Sequence, residues 1–230
     1  MIYITGDIHG DHDIHKLNTT WFPEQKELTK DDYLIVCGDF GLIWDDQPSK
    51  KEIHWLKWLE DKPFTTLFVD GNHENFNRLC SYPVTEWHGG KVHMISDSII
   101  HLMRGQVFDI DGKKFFTMGG AECHDKEWRT YGVDMWREEL PSDEEYAEAE
   151  RNLDACGWEV DYVISHRCPT SVQDIRFGFG YHVNKLTDFF ETLRNKLIWQ
   201  KWYFGHYHTD EDFWDMRAIF QDVVECGTDG

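Results

Sequence analysis

The sequence predicts an α/β chain of mixed α+β character, with two mixed β-sheets packed as a sandwich and flanked by helices. Three observations predict it. Short apolar runs recur along the chain, and each ends in a loop carrying Asp, Asn, His or Gly. Amphipathic segments with recognisable caps lie between them. A β-rich middle carries a strong hairpin signal.

The apolar runs are Ile2 to Thr5, Tyr33 to Cys37, Thr66 to Val69, Tyr162 to Ser165 and Trp202 to Phe204. Strands that each deliver polar residues at one end place a site at the strand termini. Ser49 with Glu52, and Ser142 with Glu145, read as capping boxes, and Gly157 reads as the end of the second helix. Asn184 caps a third helix with Leu186, Phe189, Phe190, Leu193 and Leu197 along one face. From Val92 to Met118 the pieces read as antiparallel sheet with a turn at Asp111-Gly112, inserted between the two halves of the site. No repeat or linker interrupts the chain, so one domain over residues 1–230 is expected.

The formal charge is −20, from 23 basic and 43 acidic residues. Such a field repels extended nucleic acid, whose binding needs Lys and Arg against phosphates. It does not exclude a small phosphorylated substrate, because bound divalent cations reverse the sign inside a cleft. Eleven Trp are too many for one core, so several are expected at the surface or along a groove. Met1 leads directly into a strand, with no leader and no membrane-spanning run, and a cytoplasmic location is expected. The six cysteines form no CxxC pair and read as reduced thiols.

Residues of metal-ligand type fall in five clusters. They are Gly6-Asp7-Ile8-His9-Gly10, Gly38-Asp39, Gly71-Asn72-His73-Glu74, Ser165-His166 and Gly205-His206-Tyr207-His208. A lone Gly-Asp is usually a turn, and a lone HxH pair is usually surface or core histidine. Five clusters in order, each after an apolar run, are hard to produce by chance. In extended backbone, Asp7 and His9 share a side, as do His206 and His208, so each pair is expected to grip one ion. His12, Asp13 and His15 read as helix start or surface.

The order GDIHG, GD, GNHE, H, GHxH resembles the calcineurin-like metallophosphoesterase superfamily over nearly the whole chain. GDIHG and GNHE look most like its Ser/Thr phosphatase and diadenosine tetraphosphatase branch. The resemblance implies a four-layer fold and two divalent ions, Mn first, with Fe or Zn as alternatives. It implies Asp7, His9, Asp39 and His208 on one ion, and Asp39, Asn72, His166 and His206 on the other, with Asp39 bridging. It implies hydrolysis of a phosphate ester by a hydroxide shared between the ions, with His73 as the catalytic histidine. Phosphomonoester or nucleotide-type substrates are expected first. Cyclic nucleotides or other diesters, and phosphoproteins, are the alternatives, and a binding module without catalysis is the more distant one.

The branch normally follows Gly-Asp with a hydrophobic pair and Asp-Arg-Gly. Here the run is Phe40-Gly41-Leu42-Ile43-Trp44, and the phosphate-gripping Arg is missing. A replacement is expected in the long segment 119–141, which resembles a stretch in a bacterial and phage subset of these enzymes. Arg129 and His124 are the candidates for substrate contact there, with Arg167 a third. The competing reading is a solvated loop anchored by Trp128 and Trp136. Phe177-Gly178-Phe179-Gly180-Tyr181 reads either as a rim that stacks on an aromatic leaving group or as a packed turn. The Glu-rich segment 142–156 reads as a solvated helix face.

Overall fold

The computed structural model describes residues 1–123, 126–178 and 181–228. Strands β1 (Ile2–Thr5), β2 (Tyr33–Val36) and β3 (Thr65–Phe68) run parallel in the first sheet, followed by β6 (Ile99–Leu102). β5 (Gly90–Ser96) and β4 (Val84–Trp87) extend that sheet antiparallel, and β13 (Val223–Glu225) lies antiparallel to β1 at its other edge. In the second sheet β8 (Lys113–Met118), β9 (Tyr162–Ser165), β10 (Lys201–Phe204) and β12 (Met216–Ala218) are parallel. β7 (Gln106–Ile110) and β11 (Glu211–Phe213) pair antiparallel at its two edges.

Alternation along the strands builds four layers. Ile2, Ile4, Ile35 and Leu67 pack against Phe108, Phe115, Ile164 and Tyr203 of the facing sheet. The intervening Tyr3, Leu34, Val36 and Phe68 point the other way, against Leu59 of α1 (Lys50–Glu60) and Phe76 and Leu79 of α2 (Phe76–Leu79). The second sheet's outer face, including Phe116, Val163 and Trp202, is covered by α3 (Asp143–Ala155), α4 (Thr170–Arg176) and α5 (Lys185–Lys196). The fold class is therefore the one expected: two mixed sheets of 7 and 6 strands with helices outside.

The caps follow the sequence, with one difference. Ser142 and Glu145 form the full reciprocal box on α3, and Asn184 Oδ1 accepts from the N–H groups of Leu186 and Thr187. α3 buries Tyr146, Ala149 and Leu153 and leaves most of its acidic residues outward. Ser49 caps α1, but Glu52 does not complete the box, because Arg78 Nη1 donates to its carboxylate at 2.8 Å. The Asp111-Gly112 hairpin is present, both residues having positive φ, 53° and 73°, as a primed turn requires. The middle segment is not one inserted antiparallel sheet. β5 and β6 belong to the first sheet and β7 and β8 to the second, so the chain crosses between them at residues 103–105. Alternation is the same in either sheet, so the sequence does not show the crossing.

Trp202 and Trp136 are buried, whereas Trp21, Trp128 and Trp214 are exposed. All six cysteines are free thiols. Among the described residues, no helix is long and apolar enough to cross a membrane.

Candidate metal centre

Parallel neighbours end on the same edge of a sheet. β1, β2 and β3 deliver Asp7, Asp39 and Asn72 there, and β9 and β10 deliver His166 and His206. Three overlapping groups of side chains have ligand atoms within 4.8 Å of one another: Asp7, His9 and His208; His9, Asp39 and His73; Asp39, His166 and His206. Asp39 belongs to two of them. Asn72 sits beside the last group, with its backbone N–H donating to Asp39 Oδ1 at 2.8 Å. Its side-chain Oδ1 is buried and has no hydrogen-bond partner. An orphaned amide oxygen of this kind costs about 1–3 kcal/mol unless something electropositive meets it.

The backbone that carries these residues is turned, not extended. His9, Asp39, His206 and His208 all have positive φ, between 41° and 69°. Such residues each cost on the order of 1–3 kcal/mol and persist where surrounding contacts dictate them. The turns separate His206 from His208: the first joins Asp39 and His166, and the second joins Asp7 and His9. The side-sharing expected from strand alternation is therefore wrong for this pair. The glycines before the clusters allow the close approach. A Cβ on Gly71 would stand 2.1 Å from Asp39 Oδ1, and one on Gly205 would stand 2.1 Å from Asp7 Oδ1.

Burial pushes the Asp39 carboxyl up, but the adjacent His166 charge and the His166 and His9 hydrogen bonds outweigh it and hold it well below the usual range. Burial lowers His9 and His166, and the nearby Asp39 overrides it, so both end raised to about 9. Protons here act as surrogate cations. The same carboxylates that retain imidazolium protons will attract divalent ions, and ion binding will displace those protons. Burial lowers His73; Asp39 opposes this, while the charges of His9, Arg129 and His166 add to it.

Second-layer contacts orient the ligand-type groups. His166 Nδ1–H donates to the Cys37 carbonyl at 2.7 Å, which leaves Nε2 facing Asp39 at 3.3 Å. His9 Nδ1–H donates to Asp13 Oδ2 at 2.8 Å, and its Nε2 lies 3.3 Å from Asp39. Asp13 was expected at a helix start or on the surface. It does precede a short 3₁₀ turn at Ile14–Leu17, but its carboxylate makes no cap bond and instead aims His9. Glu74 is buried and accepts N–H bonds from Phe40, Gly41 and Gly71, which pins the Asp39 loop to the Asn72 loop. Burial, aided by the Asp39 charge, raises its carboxyl to about 8 despite those three donors. Lys16 is buried and donates to the carbonyls of Gly6, Asp7 and Phe220. Asp70, two residues before Asn72, accepts from Arg104 Nε at 2.9 Å and His101 Nε2 at 3.1 Å.

A family model for calcineurin-like phosphoesterases matches residues 1–210. The chain belongs to that family. Its members are metal-dependent phosphoric ester hydrolases. The chain is 28% identical over 116 residues to lariat debranching enzyme A of Xenopus laevis, which is 45% of this chain and 22% of that one. It is 26% identical over 220 residues to the lariat debranching enzyme of Caenorhabditis elegans, 84% of this chain and 41% of that one. The chain thus spans less than half the length of these relatives. Among solved structures, phosphopantetheinyl hydrolase from Mycobacterium tuberculosis aligns with a TM-score of 0.40 at 17% identity, over 96% of this chain and 89% of that one.

The residues expected to meet substrate fare differently. Arg129 is partly buried, its Nη1 donates to the Asp134 carbonyl at 3.0 Å, and its charge reaches His73. His124 lies outside the described residues. Arg167 is 0% exposed, and its Nη2 donates to Gln173 and to the His182 carbonyl, so it does not present itself to a substrate. Trp136 packs against Trp44 and Phe76, whereas Trp128 is 86% exposed and has no ring contact among the described residues. Phe177 stacks on Tyr207 with centroids 3.8 Å apart and belongs to the core; Phe179 and Gly180 lie outside the described residues; Tyr181 stands 5.6 Å from His206.

Replacing Asp13 with Ala removes the carboxylate that orients His9. Mn²⁺ affinity is expected to fall about 10–100-fold with the circular dichroism spectrum unchanged. Calorimetric Mn²⁺ titration giving the wild-type affinity would remove Asp13 from the centre.

Proposed function

We propose that this chain hydrolyses phosphate esters with two divalent ions, one held by Asp7, His9, Asp39 and His208 and the other by Asp39, Asn72, His166 and His206. The observation that carries this reading is the sharing of Asp39 between ligand groups, with the orphaned Asn72 Oδ1 beside them. The donor set of carboxylate, amide and imidazole suits Mn²⁺, with Fe or Zn next. When bound, such a pair clamps phosphoryl oxygens and activates a water for in-line attack.

The chain's own residues supply the rest. Asp39 holds the two halves of the centre in register, and its Oδ1 also accepts from the N–H groups of Asn72 and His73. His73 stands at the cleft face of the centre, stacked against Trp44 at 5.8 Å. Its imidazole is the group read as giving a proton to the leaving oxygen, a step worth about 10²–10⁴-fold. Arg129 contributes positive charge toward the same face. A small phosphomonoester or nucleotide-type substrate fits the acidic surface and the missing Arg after Asp39. The second reading is cleavage of a diester, which the similarity to lariat debranching enzymes favours.

The test is turnover of p-nitrophenyl phosphate against bis-p-nitrophenyl phosphate with added Mn²⁺. Preference for the monoester is expected. Faster cleavage of the diester moves the assignment to the second reading, and no turnover of either by metal-loaded protein ends both.

A further inference from the structure

A cleft of about 630 Å³ opens directly from the centre, with His9, His73 and His208 at its inner end. This is an ordinary volume for a small-molecule site. Its walls are of two kinds. Trp44 and Trp55 present indole surface, with Leu42 beside them. Asp11, Asp13, Asp45 and Glu52 present carboxylates, against one ammonium, Lys51, among the described lining residues. Lys51 is already paired with Asp11, and Glu52 with Arg78.

Trp44 is held in place from three directions. Its ring lies 5.8 Å from His73 at an interplanar angle of 28°, and Trp136 meets it edge to face at 5.8 Å. Asn75 Nδ2 donates to its carbonyl at 2.9 Å. Trp44 is half-buried and lines the cleft beside His73, so its cleft-facing part is indole surface that a flat ring entering the cleft would meet. Trp55 is likewise fixed, edge to face with His15 and Trp58.

We propose that this cleft is a leaving-group subsite that takes a neutral nucleoside, with the base stacked on Trp44. The inference rests on the phosphoesterase reading and deepens it. Stacking on an aromatic face is indifferent to which base is present. The carboxylate of Asp45, which has no side-chain partner among the described residues, accepts hydrogen bonds from ribose hydroxyls or an exocyclic amine. The same acidic wall rejects a second phosphate, because like charges would be brought together in a partly enclosed space. The cleft therefore favours a nucleoside carrying a single phosphoryl group over a longer polyanion.

The probes are non-hydrolysable phosphonates bound to the Mn-loaded protein and measured by calorimetry. One is the AMP analogue in which a methylene replaces the bridging oxygen. Another is ethylphosphonate, which keeps the headgroup alone. The third is the same AMP analogue carrying a 3′-phosphate. The nucleoside is expected to raise affinity at least about tenfold in the wild type. Trp44→Phe keeps most of that gain, and Trp44→Ala loses it. The 3′-phosphate lowers affinity relative to the AMP analogue. Equal binding of the AMP analogue and ethylphosphonate, no binding of either, or a gain that survives Trp44→Ala overturns the proposal. Turnover of p-nitrophenyl phosphate by the same wild-type sample separates the two failures. Turnover without a nucleoside gain removes the subsite alone, whereas absence of turnover removes the phosphoesterase reading.

Discussion

Asp39→Asn is expected to lower kcat/KM on p-nitrophenyl phosphate by on the order of 10³-fold or more and to strip divalent metal from the protein. The substitution preserves shape but removes the one charge that faces both halves of the centre. His9 Nε2 lies 3.3 Å from Asp39 Oδ2, and His166 Nε2 lies 3.3 Å from Oδ1. On the two-ion reading, a neutral amide there would leave the ions with fewer anionic ligands between them and raise their mutual repulsion. The backbone bonds from Asn72 and His73 to Oδ1 can still form, so the loops keep their fold. The checks are steady-state kinetics, elemental analysis after desalting, and circular dichroism. Near-wild-type turnover with two ions retained would show that Asp39 is not the shared ligand.

Asp70→Ala is expected to destabilise the fold by about 3–5 kcal/mol, because it removes the buried carboxylate from the Arg104 guanidinium and leaves it only the half-exposed Glu145 at 3.5 Å. For a chain of this size that corresponds to a fall in Tm of roughly 6–20 °C. Asp70 and Arg104 are both buried, and Arg104 Nε donates to Oδ2 at 2.9 Å. Burial raises the Asp70 carboxyl, but Arg104 and His101 outweigh it and hold the group far below its usual value. A depressed carboxylate contributes stability that is fully present above its unfolded pKa, near 3.9, and is lost as pH falls through its folded value. The wild type should therefore lose stability progressively in acid below about pH 4, and the variant should lose less over the same interval. Thermal melts across that range provide the measurement. Parallel wild-type and Asp70→Ala curves would exclude the carboxylate as the source.

Much of the architecture was legible because it is written in local patterns. Ile2 to Thr5 and Tyr162 to Ser165 are strands with the expected bounds, and Ser142, Asn184 and Asp111-Gly112 act as cap, cap and turn. The ligand-type residues were legible as types after apolar runs. Their partition came from the family resemblance alone; strand alternation pairs His206 with His208, and the left-handed turns at both residues reverse that. Lys16 was passed over, Asp13 was read as helix start or surface, and Glu74 was read only as part of a ligand-type cluster, for a different reason. Each acts on a group distant in space or on backbone atoms, and an isolated Asp, Lys or Glu carries no mark of its partner. Glu74 alone had a local signal, its fixed place two residues after Asn72. Arg167 misled because adjacency to His166 in sequence says nothing about which way a side chain turns. Here it turns into the protein, toward Gln173 and the His182 carbonyl.

The edge strand β13 settles a practical matter of attachment. It runs antiparallel to β1, with Tyr3 opposite Glu225 and Thr5 opposite Val223, and the Cys226 N–H donates to the Ile2 carbonyl. β1 heads toward Asp7 and the cleft, so its beginning and the end of β13 emerge together at the opposite rim of the sheet. A tether attached to that pair of strand ends, at Ile2 or Glu225, starts from the rim remote from the cleft.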